Sequence, residues 1–224
     1  TASFTGQGTG PSTSTVYAVT LSPTNGATAA FSVNFTETVQ NFNSLEDLVI
    51  TETGTVSHTG ASFTGGPQNY TVSVTGMDGD GTIALAVNTA SDVEDLAGNA
   101  LVSSQTSGTI TFDNTSPVVN SITPITTTPT GGSSVGFSVT FSESVENFNA
   151  ASDVEVIETG TVSFTGITIT GGSVTYTVTL TGTAGNGSYA LRVRPTSDVR
   201  DVAGNALASS VTSVPVTIDT TPPV

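Results

Sequence analysis

Cysteine, lysine and tryptophan are missing from this 224-residue sequence, and histidine and methionine occur once each. Without cysteine there is no disulfide, no thiol nucleophile and no Cys-based zinc site. Without lysine no Lys–Asn isopeptide cross-link can form. Charge is also scarce: charged residues make up 9% of the chain, and the 18 acids face only three arginines, for a formal net charge of −15. Nucleic acid and anionic membrane surfaces both need a cationic face, so neither is expected as a partner. A cation is the natural partner of such a surface. No run of 18 apolar residues exists, which leaves no membrane-inserting helix. No signal peptide is visible, and the opening "TASFTGQGTG" reads as a cut from a longer chain. The lack of cysteine does not by itself fix the compartment.

What is present is Ser, Thr and Gly, with 35% hydrophobic residues. The apolar residues are patterned rather than scattered, which argues against disorder. They also recur. "FSVNFTETVQNFN" at 31–43 returns as "FSVTFSESVENFN" at 137–149, "ETGTVSHTG" at 52–60 as "ETGTVSFTG" at 158–166, "SDVEDLAGNAL" at 91–101 as "SDVRDVAGNAL" at 197–207, and "DNTSPV" at 113–118 as "DTTPPV" at 219–224. Each pair is 106 residues apart, so the copies align without a gap. Roughly half of the aligned positions are identical, the mark of duplication within a longer array.

Each copy reads as all-β. Phe31, Val33 and Phe35 alternate with polar residues, as do Tyr70, Val72, Val74 and Ile83, Leu85, Val87. The second copy repeats the pattern at Phe137, Val139, Phe141, at Tyr176, Val178, Leu180 and at Tyr189, Leu191, Val193. Thr on the polar faces suits a sheet, and "TNGA", "TGG", "DGDG" and "GNG" punctuate the strands. No stretch has helical periodicity. About seven short strands per copy fits a pair of tandem immunoglobulin-like β-sandwiches. The Pro-containing segments close each copy as short stiff linkers. The expected domains are 1–117 and 118–224, with residues 1–12, which match nothing in the repeat, as linker or disorder.

The order "F-S-E-x-V…F…D", "G-T-V-S-x-x-T-G", "Y-T-V", "D-x-A-G-N", "D-T-T-P-P", met twice, resembles the bacterial Ig-like repeats of large extracellular adhesin-type surface proteins. The resemblance covers about 18–224; the first copy departs by ending "DNTSP". It implies β-sandwiches strung in tandem outside the cell, and many related repeats bind calcium near their junctions.

The cassettes at 91 and 197 follow a strand ("IALAV" in the first copy) and so form the F–G loop of an Ig-like topology. Glu37 opens the B–C loop at the same pole. Glu37, Asp92 and Asp95 are therefore expected together, and likewise Glu143, Asp198 and Asp201. Asp113, just before the linker, is expected to join the second set. Such carboxylates repel unless a hard cation relieves them, and calcium takes six to eight oxygen ligands; Asn114, Asn205 or carbonyls would complete the shell. The alternative is a plain turn, with Asp95 capping N–H groups and Gly98 or Asn99 at positive φ. Glu37 and Glu143 also read as solvated strand ends, and Asp113 and Asp219 as caps of the linker turn. Both readings stay open.

Other candidates read blandly. "DGDG" at 78–81 lacks the remaining EF-hand ligands and becomes "AGNG" in the second copy, so a hairpin turn is favoured. His58 is replaced by Phe164, which argues for a packing or surface position. A glycosidase carboxylate pair needs a cleft with aromatic platforms, and a Ser–His–Asp triad needs a histidine in each copy. No enzyme is expected. Asn-X-Ser/Thr sequons at Asn34 and Asn69 carry little weight.

The function expected is that of a structural spacer or stalk, a monomer on the cell surface whose partners are neighbouring repeats, stiffened by calcium, with any glycan or protein ligand held by other domains. The alternatives are a ligand-binding adhesive module, which needs an exposed patch differing between copies, and an accessory domain of a secreted enzyme.

Overall fold

The computed structural model describes residues 8–222. The chain forms two compact units that divide between Asn114 and Thr115, three residues before Pro117. Of the segment 1–12, residues 1–7 lie outside the described part. Residues 11–13 are bound to the first unit: Val102 N–H donates to Pro11 O (2.8 Å) and Thr13 N–H to Ser103 O (3.1 Å).

In the first unit the strands are β1 (Thr13–Ala18), β2 (Thr28–Phe35), β3 (Val39–Gln40), β4 (Leu48–Gly54), β5 (Gly60–Gly65), β6 (Asn69–Thr75), β7 (Gly81–Val87), β8 (Glu94–Asp95) and β9 (Ile110–Phe112). One sheet runs β1-β2-β6-β5 and the other β4-β7-β9, all pairs antiparallel. Four strands facing three, with the second and sixth at the centre of one layer, is the immunoglobulin-like sandwich. A further short pair, β3-β8, ties the B–C segment to the cassette.

Period-two alternation builds these layers. On β2, Phe31, Val33 and Phe35 are buried while Ser32 and Asn34 face out. Across the core, β7 contributes Ile83, Leu85 and Val87. Each such side chain contributes about 1.5–3 kcal/mol on burial. One end of the core is an aromatic knot: Phe42 stands edge-on to Phe35 (5.2 Å), Tyr70 (5.0 Å) and Phe63 (5.1 Å). Thr pairs line the polar side, as where Thr53 and Thr82 share a 2.7 Å hydroxyl bond across β4 and β7.

The second unit repeats the design with β10 (Val119–Pro124), β11 (Ser134–Phe141), β12 (Val145–Glu146), β13 (Val154–Gly160), β14 (Gly166–Gly172), β15 (Thr175–Thr181), β16 (Gly187–Val193), β17 (Arg200–Asp201) and β18 (Val216–Ile218). Its sheets run β10-β11-β15-β14 and β13-β16-β18, with β12-β17 as the small pair. Phe141, Phe148 and Tyr176 form its aromatic knot. Tyr189 replaces Ile83 in the core, and its ring packs edge-on to Phe164, the counterpart of His58.

Candidate functional site

The cassette folds as a closed turn in both units, and an aspartate is its centre. Asp201 is buried. Its Oδ1 accepts the backbone N–H groups of Ala203 (2.9 Å), Gly204 (2.7 Å) and Asn205 (2.8 Å), and its Oδ2 accepts the Asn205 side-chain amide (2.8 Å). Asp201 N–H donates to Asn205 O (3.0 Å), and Gly204 takes φ +101°, which explains the glycine. In the first unit Asp95 Oδ1 accepts from Ala97 and Asn99 N–H (2.8 and 2.9 Å) and Oδ2 from the Asn99 amide (2.7 Å). The side-chain amide and then the backbone N–H of Asn99 hold the Asp95 carboxyl below the ordinary carboxylate value. Desolvation opposes them, and the Ala97 and Gly98 N–H groups add smaller contributions in the same direction.

The turn therefore satisfies its own donors. What it leaves for a ligand is limited: a carboxylate has about four acceptor positions, and Asp201 Oδ2 uses one of its two. The glutamates lie beside these aspartates because of the short strand pairs. Val39 opposes Asp95 and Val145 opposes Asp201, so the B–C segment runs along the cassette. Glu37, Thr38, Asp95, Leu96 and Ala97 line one cleft. In the second unit one carboxylate oxygen of Glu143 and one of Asp201 are within 4.8 Å of each other. Leu96 and Val202, at the apex of each turn, are exposed.

Asp92 and Asp198, also expected here, are placed differently. Both are exposed, and each is followed by a buried residue, Val93 or Val199. Their carbonyls accept the Asn41 and Asn147 side-chain amides (3.1 and 3.4 Å). Asp92 lines another cleft, with Asn43, Ser44, Glu46, Asp47, Asn88, Ala90 and Ser91. Asp113 follows β9 at the end of the first unit, where its N–H donates to Thr24 O (3.0 Å). Its counterpart Asp219 accepts Thr221 N–H (2.9 Å) at Oδ1, and the bonds to Thr221 hold its carboxyl below the ordinary value.

Two buried acids escaped the sequence reading. Asp47 Oδ2 accepts the N–H groups of Asn43 and Ser44 (both 2.8 Å), and Asp153 Oδ2 those of Asn149 (3.0 Å) and Ala150 (2.8 Å). Both sit in one-turn 3-10 helices, Leu45–Asp47 and Ala151–Asp153. The available signal was an acid kept at the same offset in "NFNSLED" and "NFNAASD". His58 Nδ1 lies 2.8 Å from Glu52 Oε1, half-buried. The "DGDG" and "AGNG" segments lie in the β6–β7 and β15–β16 connections; these cross from one sheet to the other, so they are inter-sheet turns and not the hairpins the sequence suggests.

Among solved structures the chain is similar to the D0-D1 domain of intimin (13% identity over 93% of this chain and 98% of that one, TM-score 0.29). It is also similar to the adhesin InvE of Yersinia pseudotuberculosis (16% identity, 92% and 58%, TM-score 0.33). A comparison with curated proteins finds no match. Residues 113–218 match the family model of the bacterial Ig-like domain. The second unit is therefore a bacterial Ig-like domain, and the first repeats its sequence and its strand order.

Proposed function

We propose that these units are spacer repeats of a large bacterial extracellular protein of the adhesin type, with calcium bound at the pole where the chain enters each unit. The observation that carries this reading is how the entering segment is held. In the second unit Asn205 Nδ2 donates to Thr115 O (3.3 Å), Ala208 N–H to Pro117 O (2.9 Å), and Val118 bridges Ser209 in parallel. In the first, Pro11, Ser12 and Thr13 are tied to residues 102 and 103 in the same way. The cassette thus clamps the incoming chain, and a clamped entry gives a repeat a fixed direction, which a stalk needs and a flexible tether does not.

Calcium fits as the stiffening ion because Glu143 beside Asp201, and Glu37 beside Asp95, offer oxygen ligands only. Small-angle scattering of the chelator-treated chain, with and without calcium at about 1 mM, tests this; extracellular calcium modules bind at about 10⁻⁴–10⁻³ M. The expected result is a longer, narrower distance distribution with calcium that Glu143→Gln abolishes. Asp113→Asn tests the further ligand expected from the sequence. Superimposable curves would reduce the cassette to a clamp and turn.

One observation favours an adhesive module instead. Tyr17, Val19 and Leu21 are exposed along and beyond the edge strand β1, and the second copy has Thr123, Ile125 and Thr127 there. Glycan or protein binding lost in Tyr17→Ser would favour that reading over the spacer.

A further inference from the structure

The cleft that takes Asp92 holds a feature the turn and the pole do not use. Asp47 is 1% exposed, and while its Oδ2 accepts two loop N–H groups, its Oδ1 is buried with no hydrogen-bond partner. Half of a carboxylate enclosed without a donor is costly, because the oxygen has given up water and received nothing. Asp47 lines the cleft together with two exposed acids, Glu46 and Asp92. No lysine or arginine occurs in the first unit to answer them.

The second unit supplies the comparison. At the four corresponding positions Glu46 becomes Ser152, Asp47 stays as Asp153, Asn88 becomes Arg194 and Asp92 stays as Asp198. One acid is lost and one guanidinium gained, a change of two positive charges. Arg194 donates from Nε to Val154 O (3.0 Å), the residue next to Asp153. Among the described residues Asp153 leaves no orphaned buried oxygen, whereas Asp47 does. Two units of positive charge are what a divalent cation would bring to the same place in the first unit.

We infer that the cleft of Glu46, Asp47 and Asp92 binds a hard divalent cation, of which calcium is the best match, and that Arg194 and Ser152 replace that ion in the second unit. With Asp47 Oδ2 already filled by two N–H groups, the three carboxylates leave up to five oxygens, and water would fill the rest of a six- to eight-oxygen shell. The site is separate from the Glu37 and Asp95 cleft and does not depend on it.

The test is calorimetric titration of calcium into the chelator-treated full chain, comparing the wild type with Glu46→Ser/Asn88→Arg. This double variant installs residues that the second unit already carries in the same fold. The wild type is expected to take up one calcium more than the double variant. Asp92→Asn, an exposed change, is expected to weaken the same binding event by about tenfold or more, as the loss of one charged ligand does. Equal stoichiometry in wild type and double variant, or no calcium uptake at millimolar concentration, would overturn the inference. The pole site reads out separately. Calcium lost in Glu143→Gln but kept in Glu46→Ser/Asn88→Arg sinks this cleft and spares the pole; the reverse result supports the cleft and sinks the pole.

Discussion

At the scale of single residues the cassette works through one carboxylate. Asp95 and Asp201 gather N–H groups that would otherwise point into a tight loop, and the asparagine four residues on closes the ring with its amide. Because the folded Asp95 carboxyl titrates below its ordinary value, its ionised form is favoured by folding. The stability it contributes is present above the ordinary carboxylate range and is lost as pH falls through the lowered value. Thermal melts between neutral pH and about pH 2 should therefore show an acid-side decline that is shallower in Asp95→Asn. In the second unit, Asp201→Ala strips three backbone N–H groups of their acceptor and is expected to cost about 1–3 kcal/mol in urea denaturation. An unchanged midpoint would show that the loop relaxes to water without loss.

At the scale of elements the design rests on strand pairs closed by glycines and on the aromatic knots. Gly54 opposes Gly81 where β4 meets β7, and Gly81 takes φ +148°. A Cβ on Gly81 would collide with the Thr53 carbonyl oxygen, a backbone atom that cannot rotate away. Gly81→Ala should lower stability by about 1–3 kcal/mol, with Gly187→Ala behaving alike because its Cβ meets Thr159 O. Phe141 is 1% exposed and touches both Phe148 and Tyr176 edge-on. Its truncation to Ala should cost about 3–5 kcal/mol. Alternation made β2, β6 and β7 legible, since one buried face imposes period two. The two-residue strands β3 and β8 were not, because so short a pair has no period to read.

At the scale of the molecule, each unit closes its own core within about 110 residues, long enough for a working interior. A chain of residues 115–224 keeps every strand of its two sheets. It is expected to unfold cooperatively in urea, with a slope of about 1–3 kcal/mol/M; a broad, non-cooperative loss of signal would show that the second unit does not stand alone. The acidic balance, −15 overall, favours solubility and repels like chains.

The sequence alone determined the fold class, the duplication and the neighbourhood of Glu37 with Asp95. Periodicity is local, an offset of 106 residues is visible in letters, and the Ig-like strand order puts B–C and F–G at one pole. Tertiary structure decided the rest. Asp92 and Asp95 are three residues apart, yet Val93 turns inward between them and sends them to different clefts. Asp47 is not singled out by the sequence reading; its burial is decided by the Asn43 and Ser44 N–H groups that fold onto its carboxylate. Whether a carboxylate caps a turn, faces water or waits for an ion depends on which donors surround it, and those come from segments far apart in the chain. So "SDVEDLAGNAL" announced a turn in its own letters, but the donors it satisfies and the oxygens it leaves free were set only by folding.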